Sequence, residues 1–302
     1  MRLAPALILD RPGSQAELIA LAENALRGAG AVGRLPTPIG DLIAAARVGA
    51  VAEPEVVRER FLAGLSVSAR AGFASIWQKL RGIADLRDRV IYVPPTASLP
   101  RDLFAKSHEF GHQVIPWHTV PIYHDDDRSL SQEAEACFEH EANFFAAEVI
   151  FQGRRFRTRA LDYRPSLDAV FRLADEHGAS RQATLRRYVD DHDEAVAAVT
   201  YLPSRYTADR QGNPILWKPW LVASPVFRRR CLDLQLPEQL PAGHEWAAAR
   251  DLGGRCDGDI VLGCGADPTR FEWQGWWSGY SLTVLLRRPP TLGFLGRIVR
   301  GS

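Results

Sequence analysis

The chain has 302 residues, with 37 lysines and arginines against 36 aspartates and glutamates and a formal net charge of +1. That balance excludes a protein that holds nucleic acid by bulk charge, and a hydrophobic content of 46% excludes a disordered chain and suffices for a buried core in each of two or three units. Four cysteines with no C-x-x-C pair exclude a disulfide scaffold, so reduced cytosolic thiols are expected.

The apolar stretch at 3–9 is broken by Pro5 and followed by Asp10, which fits neither a signal peptide nor a membrane span; a cytoplasmic protein without membrane contact is expected. Ser14-Gln15-Ala16-Glu17 has capping-box spacing and opens a helix predicted to run towards Gly28; Pro38 opens the next, and 55–65 and 67–80 also read as helices. Residues 89–93 form a β-branched strand closed by Pro94 and Pro95. Ser98 and Pro100 then start a helix on which Leu103, Phe104, Ser107, His108, Gly111, His112 and Ile115 recur at steps of three and four, until Pro116 stops it.

On that helix His108-Glu109-Phe110-Gly111-His112 is an H-E-x-x-H pentapeptide. It sets two imidazoles one turn apart beside a carboxylate, which is the protein half of a zinc hydrolase site. Gly111 is a poor helix residue, and its place between the histidines predicts the close approach of another backbone. A catalytic zinc takes three protein ligands and keeps an open position for water, so the third ligand decides the class. His118, ten residues after His108, has metzincin spacing, but Ile115 stands where that motif needs glycine and Met1 is the only methionine for its turn.

The better candidate is Glu139, in a helix-forming run where Glu139, Ala142, Asn143 and Ala146 share a face; small residues there allow close packing on Gly111. Glu135, one turn earlier, is the fallback. Asn143 is placed to hydrogen-bond the far nitrogen of a ligating histidine. Glu141 and Glu148 read as solvated charges, Cys137 as packed rather than ligating, and an oxyanion donor is sought among Tyr92, His118, Tyr123, His124 and His140. Residues 124–127 read as an acidic, solvated loop.

These segments resemble the ImmA/IrrE metallopeptidases, gluzincin-like proteins of bacteria and their mobile elements. The resemblance rests on Leu35-Pro36-Thr37-Pro38-Ile39-Gly40-Asp41-Leu42-Ile43, Val90-Ile91-Tyr92-Val93, the H-E-x-x-H helix, and Glu139 to Glu148 as E-x-x-A-N-x-F-A-A-E, in the family's order over roughly 35–195. It implies that His108, His112 and Glu139 bind zinc, that Glu109 is catalytic, and that the substrate is an XRE-type helix-turn-helix repressor cut in a stress or mobile-element response. Manganese or iron suits the same donors. Phe110 in place of leucine, and Gln152-Gly153 where Met-Pro is usual, depart from the pattern and point to a different substrate groove. An extended target segment is expected to add to the Val90 strand edge.

Further on, the basic run at 154–159 precedes a segment, 166–199, with helix-turn-helix rhythm, Gly178 making the turn and Ser180 capping. DNA binding is the rival class but is disfavoured by the aspartates at 190, 191 and 193; partner docking is preferred. Residues 203–225 read as a linker, followed by strands at 226–234, 259–263, 270–276 and 280–287 and a helix at 245–251. IrrE proteins carry a GAF-like sensor domain here, though no motif in this segment carries that assignment; Trp273, Trp276 and Trp277 read as packing rather than a ligand pocket. The expected fold is α+β: a zincin-like helical domain with a small sheet (1–153), a helix-turn-helix-like segment (154–202) and a mixed α/β terminal domain (203–302). The expected function is a zinc endopeptidase; the rival is a proteolytically silent, zinc-containing regulator that binds DNA or a ligand.

Overall fold

The structure, a computed structural model, describes residues 12–50, 83–85, 89–94, 96–118, 132–208, 214–231, 233–240, 243–265 and 267–289. The expected helices at 55–65 and 67–80, the stretch at 3–9 and the acidic loop at 124–127 lie outside them. The chain divides into two compact units, one formed by Asp10–Thr158 and Arg172–Ser180, the other including Arg159–Phe171 and Arg181–Ser302. The fold is α+β, helical in the N-terminal part with a C-terminal antiparallel sheet.

In the first unit, α1 (Gln15–Gly28) buries Leu18, Ala22 and Leu26, four residues apart on one stripe. After it come α2 (Ile39–Ala45) and three short strands, β1 (Gly49–Ala50), β2 (Ile83–Asp85) and β3 (Val90–Tyr92). The strand order is β1-β3-β2, parallel on one side of β3 and antiparallel on the other. β3 is therefore central, which corrects the expectation of a free Val90 edge: its β-branched run is what a strand flanked on both sides requires. α3 (Leu99–Val114), followed by a 3-10 turn at Pro116–His118, and α4 (Gln132–Phe151) belong to the same unit. Leu18, Leu26, Leu42, Ile91, Phe110 and Phe145 meet in its core.

Gln152 ends α4 in a left-handed conformation (φ 54°) with its side chain buried. Its Nε2 donates to the Arg34 carbonyl (2.9 Å) and Thr37 Oγ1 (3.1 Å), and its Oε1 accepts from Gly33 N (2.7 Å). Gln152, one of the departures from the resemblance, thus ties α4 to the α1–α2 connection. Gln152→Ala is expected to destabilise the protein by about 3 kcal/mol, because the Gly33 N–H and Arg34 carbonyl lose buried partners. An unchanged denaturant midpoint would contradict that anchoring role.

Helices α5 (Arg154–Leu161), α6 (Leu167–His177) and α7 (Arg181–Asp191) follow. The turn between α6 and α7 uses Gly178 at φ 62°, where a Cβ would sit 3.0 Å from Pro36; conformation and space both select glycine. The second unit is built on a six-stranded antiparallel sheet of order β6-β5-β4-β9-β8-β7. Its strands are β4 (Val196–Ala208), β5 (Pro214–Ala223), β6 (Gln239–Leu240), β7 (Arg255–Cys264), β8 (Asp267–Trp277) and β9 (Leu282–Arg287). The expected break at 202–203 falls inside β4.

Three expectations are corrected here. The segment read as a linker is the β4–β5 hairpin, whose register shifts around Pro203. A proline without an N–H and an irregular register break the alternation by which a strand is read. The strand expected at 226–234 begins instead as helix α8 (Pro225–Arg230), started by Ser224, whose Oγ accepts from Phe227 N at 3.1 Å, with proline in the first turn. Cys231 and Cys264 form a disulfide, against the expectation of four reduced thiols; Leu234 bridging Cys264 brings the two segments together, a long-range pairing that spacing does not encode. Trp273 packs in the core with Trp246, ring centroids 6.5 Å apart, and Trp276 against Phe171 at 5.0 Å. Among the described residues, no helix is long and apolar enough to cross a membrane.

Candidate metal centre

The site is built by α3 and α4. Gly111 lets them approach: a Cβ there would meet Phe145 Cδ1 at 3.0 Å and the Ala142 backbone at 3.6 Å, as the small residues of α4 lead one to expect. Gly111→Val is expected to cost about 2 kcal/mol or more by overpacking and to weaken zinc binding by pushing the two ligand-bearing helices apart. Thermal denaturation and chelator competition read the two effects; a stable variant with wild-type zinc affinity would refute this account.

One turn apart on α3, His108 and His112 bring their Nε2 atoms to 3.2 Å. From α4, Glu139 closes the triangle, its Oε2 3.3 Å from His108 Nε2 and its Oε1 3.3 Å from His112 Nε2. Tetrahedral zinc with bonds of about 2.0–2.1 Å separates neighbouring donors by roughly 3.3–3.4 Å; the two imidazole nitrogens stand at about that separation, and the carboxylate offers a different oxygen to each of them. The imidazoles are largely covered, with side-chain exposures of 14% and 16%, whereas Glu139 is 56% exposed; the open side of the triangle faces solvent. Asn143 Oδ1 lies 3.1 Å from His108 Nδ1, where it accepts that proton and leaves Nε2 as the donor atom. Cys137 is exposed and outside the cluster. The side chain of Glu135 lies outside the described residues.

Glu109 is 9% exposed. Burial first, and the nearby charge of Glu139 second, push its carboxyl up to about 8. Burial, and then the neighbouring imidazoles of His108 and His118, hold His112 down at about 3. His112 is therefore neutral at physiological pH, the form that ligates a metal.

The largest departure from expectation lies behind His112. Glu141 and Glu148, expected in solvent, are 6% and 4% exposed. Glu141 accepts from Ser14 Oγ, Trp117 Nε1 (2.6 Å) and His118 Nε2 (2.9 Å). Burial pushes its carboxyl up, but those three hydrogen bonds outweigh it and hold the group below the usual carboxylate range. Ser14 thus serves Glu141 and makes no side-chain cap on α1. His118 is 5% exposed, with Phe138 against its ring at 4.5 Å; both nitrogens are engaged, which removes it from the oxyanion-donor candidates. Tyr123 and His124 lie outside the described residues.

The model of the IrrE N-terminal-like domain, a peptidase-family model, matches residues 73–188. This part of the chain is similar to the IrrE-like peptidases. The match contains His108, Glu109, His112, Glu139 and α6, and it ends within α7. No curated protein matches the chain. Among solved structures, a Mycobacterium tuberculosis transcriptional regulator is similar, with a TM-score of 0.50 and 14% identity over 90% of this chain and 76% of that one; the likeness is one of fold. The IrrE-like domain thus sits within a longer shared architecture.

Proposed function

We propose that the protein is a zinc-dependent endopeptidase that cuts one protein target, an XRE-type helix-turn-helix repressor, in a stress or mobile-element response. The observation that carries the reading is the convergence of His108 Nε2 and His112 Nε2, 3.2 Å apart, on the Glu139 carboxylate, whose two oxygens lie 3.3 Å from one imidazole each, with a buried carboxyl, Glu109, on the same helix as the histidines. His108, His112 and Glu139 would hold the metal. When bound, zinc supplies Lewis acidity, making water nucleophilic near neutral pH and polarising a carbonyl; manganese or iron fits the same donors.

The chain's own groups do the proton work. Glu109, beside the ligands without belonging to the triangle, takes the proton of the attacking water and passes it to the leaving amine, as a general base and then acid. Its upward-shifted pKa in the metal-free protein suits a group that must both accept and release a proton near neutrality, and a neighbouring cation lowers it again. Among the described residues β2 is an outer strand of the small sheet, so an extended target segment pairs there rather than along β3.

The choice of a repressor as substrate rests on the family resemblance. Its test is incubation with the repressor encoded beside this protein, with zinc and with chelator: cleavage is expected only with zinc, and an intact repressor in both arms overturns the reading. The similar fold of a transcriptional regulator favours a second reading, a regulator whose zinc is structural and whose terminal domain, GAF-like in that case, senses a ligand. A cavity of about 290 Å³ on the terminal sheet is the place to look, although its charges pair with one another, Arg270 with Asp259 (2.7 Å) and Arg287 with Glu272 (2.8 Å).

A further inference from the structure

The side chains behind His112 are ordered in one direction. His112 Nδ1 lies 3.1 Å from His118 Nδ1, His118 Nε2 lies 2.9 Å from Glu141 Oε2, and Ser14 and Trp117 donate to the same carboxylate. A carboxylate only accepts, so His118 carries its proton on Nε2 and its Nδ1 is left as an acceptor. The 3.1 Å contact then requires a proton on His112 Nδ1, and His112 Nε2 is left with a lone pair facing the triangle.

We propose that Glu141 and His118, braced by Ser14 and Trp117, form a buried positioning relay that fixes the Nδ1-protonated tautomer of His112 and aims its Nε2 at the cation. The inference rests on the zinc reading above. Asn143 does the same for His108 in a single step; the Nδ1 of His112 meets His118 instead of an α4 side chain. The chain brings this about by turning at Pro116, which returns His118 beneath His112 with its N–H on the Ile115 carbonyl at 3.1 Å. Glu141 sits two residues after Glu139 on α4, so one helix serves both the front and the back of the site.

The test compares zinc affinity by chelator competition, with circular dichroism as the check on folding. His118→Phe keeps a ring against Phe138 but removes both hydrogen bonds, and its zinc affinity is expected to fall about 10- to 100-fold. His118→Asn returns an acceptor near the Nδ1 position and should stay within a few-fold of wild type. Glu141→Gln should weaken zinc in the wild-type background and add nothing on His118→Asn, whose shorter side chain does not reach it. In the metal-free wild type, long-range proton–nitrogen correlation spectra should place the His112 proton on Nδ1.

A proton on Nε2 overturns the relay, whichever variants fold. So does His118→Asn as weak as His118→Phe, which marks a packing role alone. Wild-type affinity in His118→Phe overturns the relay and leaves the metal site standing, whereas a wild type that binds no zinc removes both.

Discussion

Glu109→Gln is expected to keep zinc and to cut its target about 10²- to 10⁴-fold more slowly, the range for loss of a general acid–base. The substitution leaves the triangle of His108, His112 and Glu139 untouched and removes only the group that moves the proton. Zinc content and single-turnover cleavage are measured on the same preparation. A variant that cuts at the wild-type rate shows that Glu109 is not the base, and a variant that keeps its biological output while the repressor stays whole shows the zinc to be structural.

The same substitution has a consequence for stability. Glu109 is raised from 4.5 to about 8 in the folded, metal-free protein, so the native state holds a proton that the unfolded chain has lost. Stability therefore falls as pH rises through that window and is unaffected below it. Metal-free Glu109→Gln escapes the penalty. Its unfolding free energy should match wild type at about pH 4 and exceed it at about pH 8.5 by on the order of 5 kcal/mol. Equal unfolding free energies at both values contradict the buried carboxyl.

The second large effect follows from removing a corner of the triangle. Glu139→Ala leaves two imidazoles, and zinc affinity should drop by more than the roughly 10- to 100-fold typical of losing an outer partner, taking cleavage with it. Cys137→Ser is the control on the same helix; its thiol is outside the cluster, and zinc content should not change. Zinc retained at wild-type affinity in Glu139→Ala sinks the three-ligand site, and zinc lost in Cys137→Ser means that the ligand set is wrong.

How far each part was legible depended on the range of the interaction. His108 and His112, Glu139 and Asn143, and the small residues facing Gly111 are related by helical steps of three or four, so the amino-acid order alone determines that they share faces. The same holds for the Ser224–Pro225 helix start, misread because the apolar Val226 and Phe227 invite a strand, and for the hairpin obscured by Pro203. No local rule reports the burial of Glu141: it depends on Trp117 and His118 meeting its carboxylate, with Ser14 arriving from 127 residues away.

By itself, then, the order of residues determined two helices, two candidate donors on one and one on the other, and the resemblance to IrrE-like peptidases, because periodicity and motif spacing are properties of neighbouring residues. Only the tertiary structure decided that β3 is central, that Gln152 ties α4 to the α1–α2 connection, and that His118 and Glu141 stand in line behind His112. A buried polar group must find its partner wherever the packed chain supplies one, and in this fold those partners come from segments far apart in the chain.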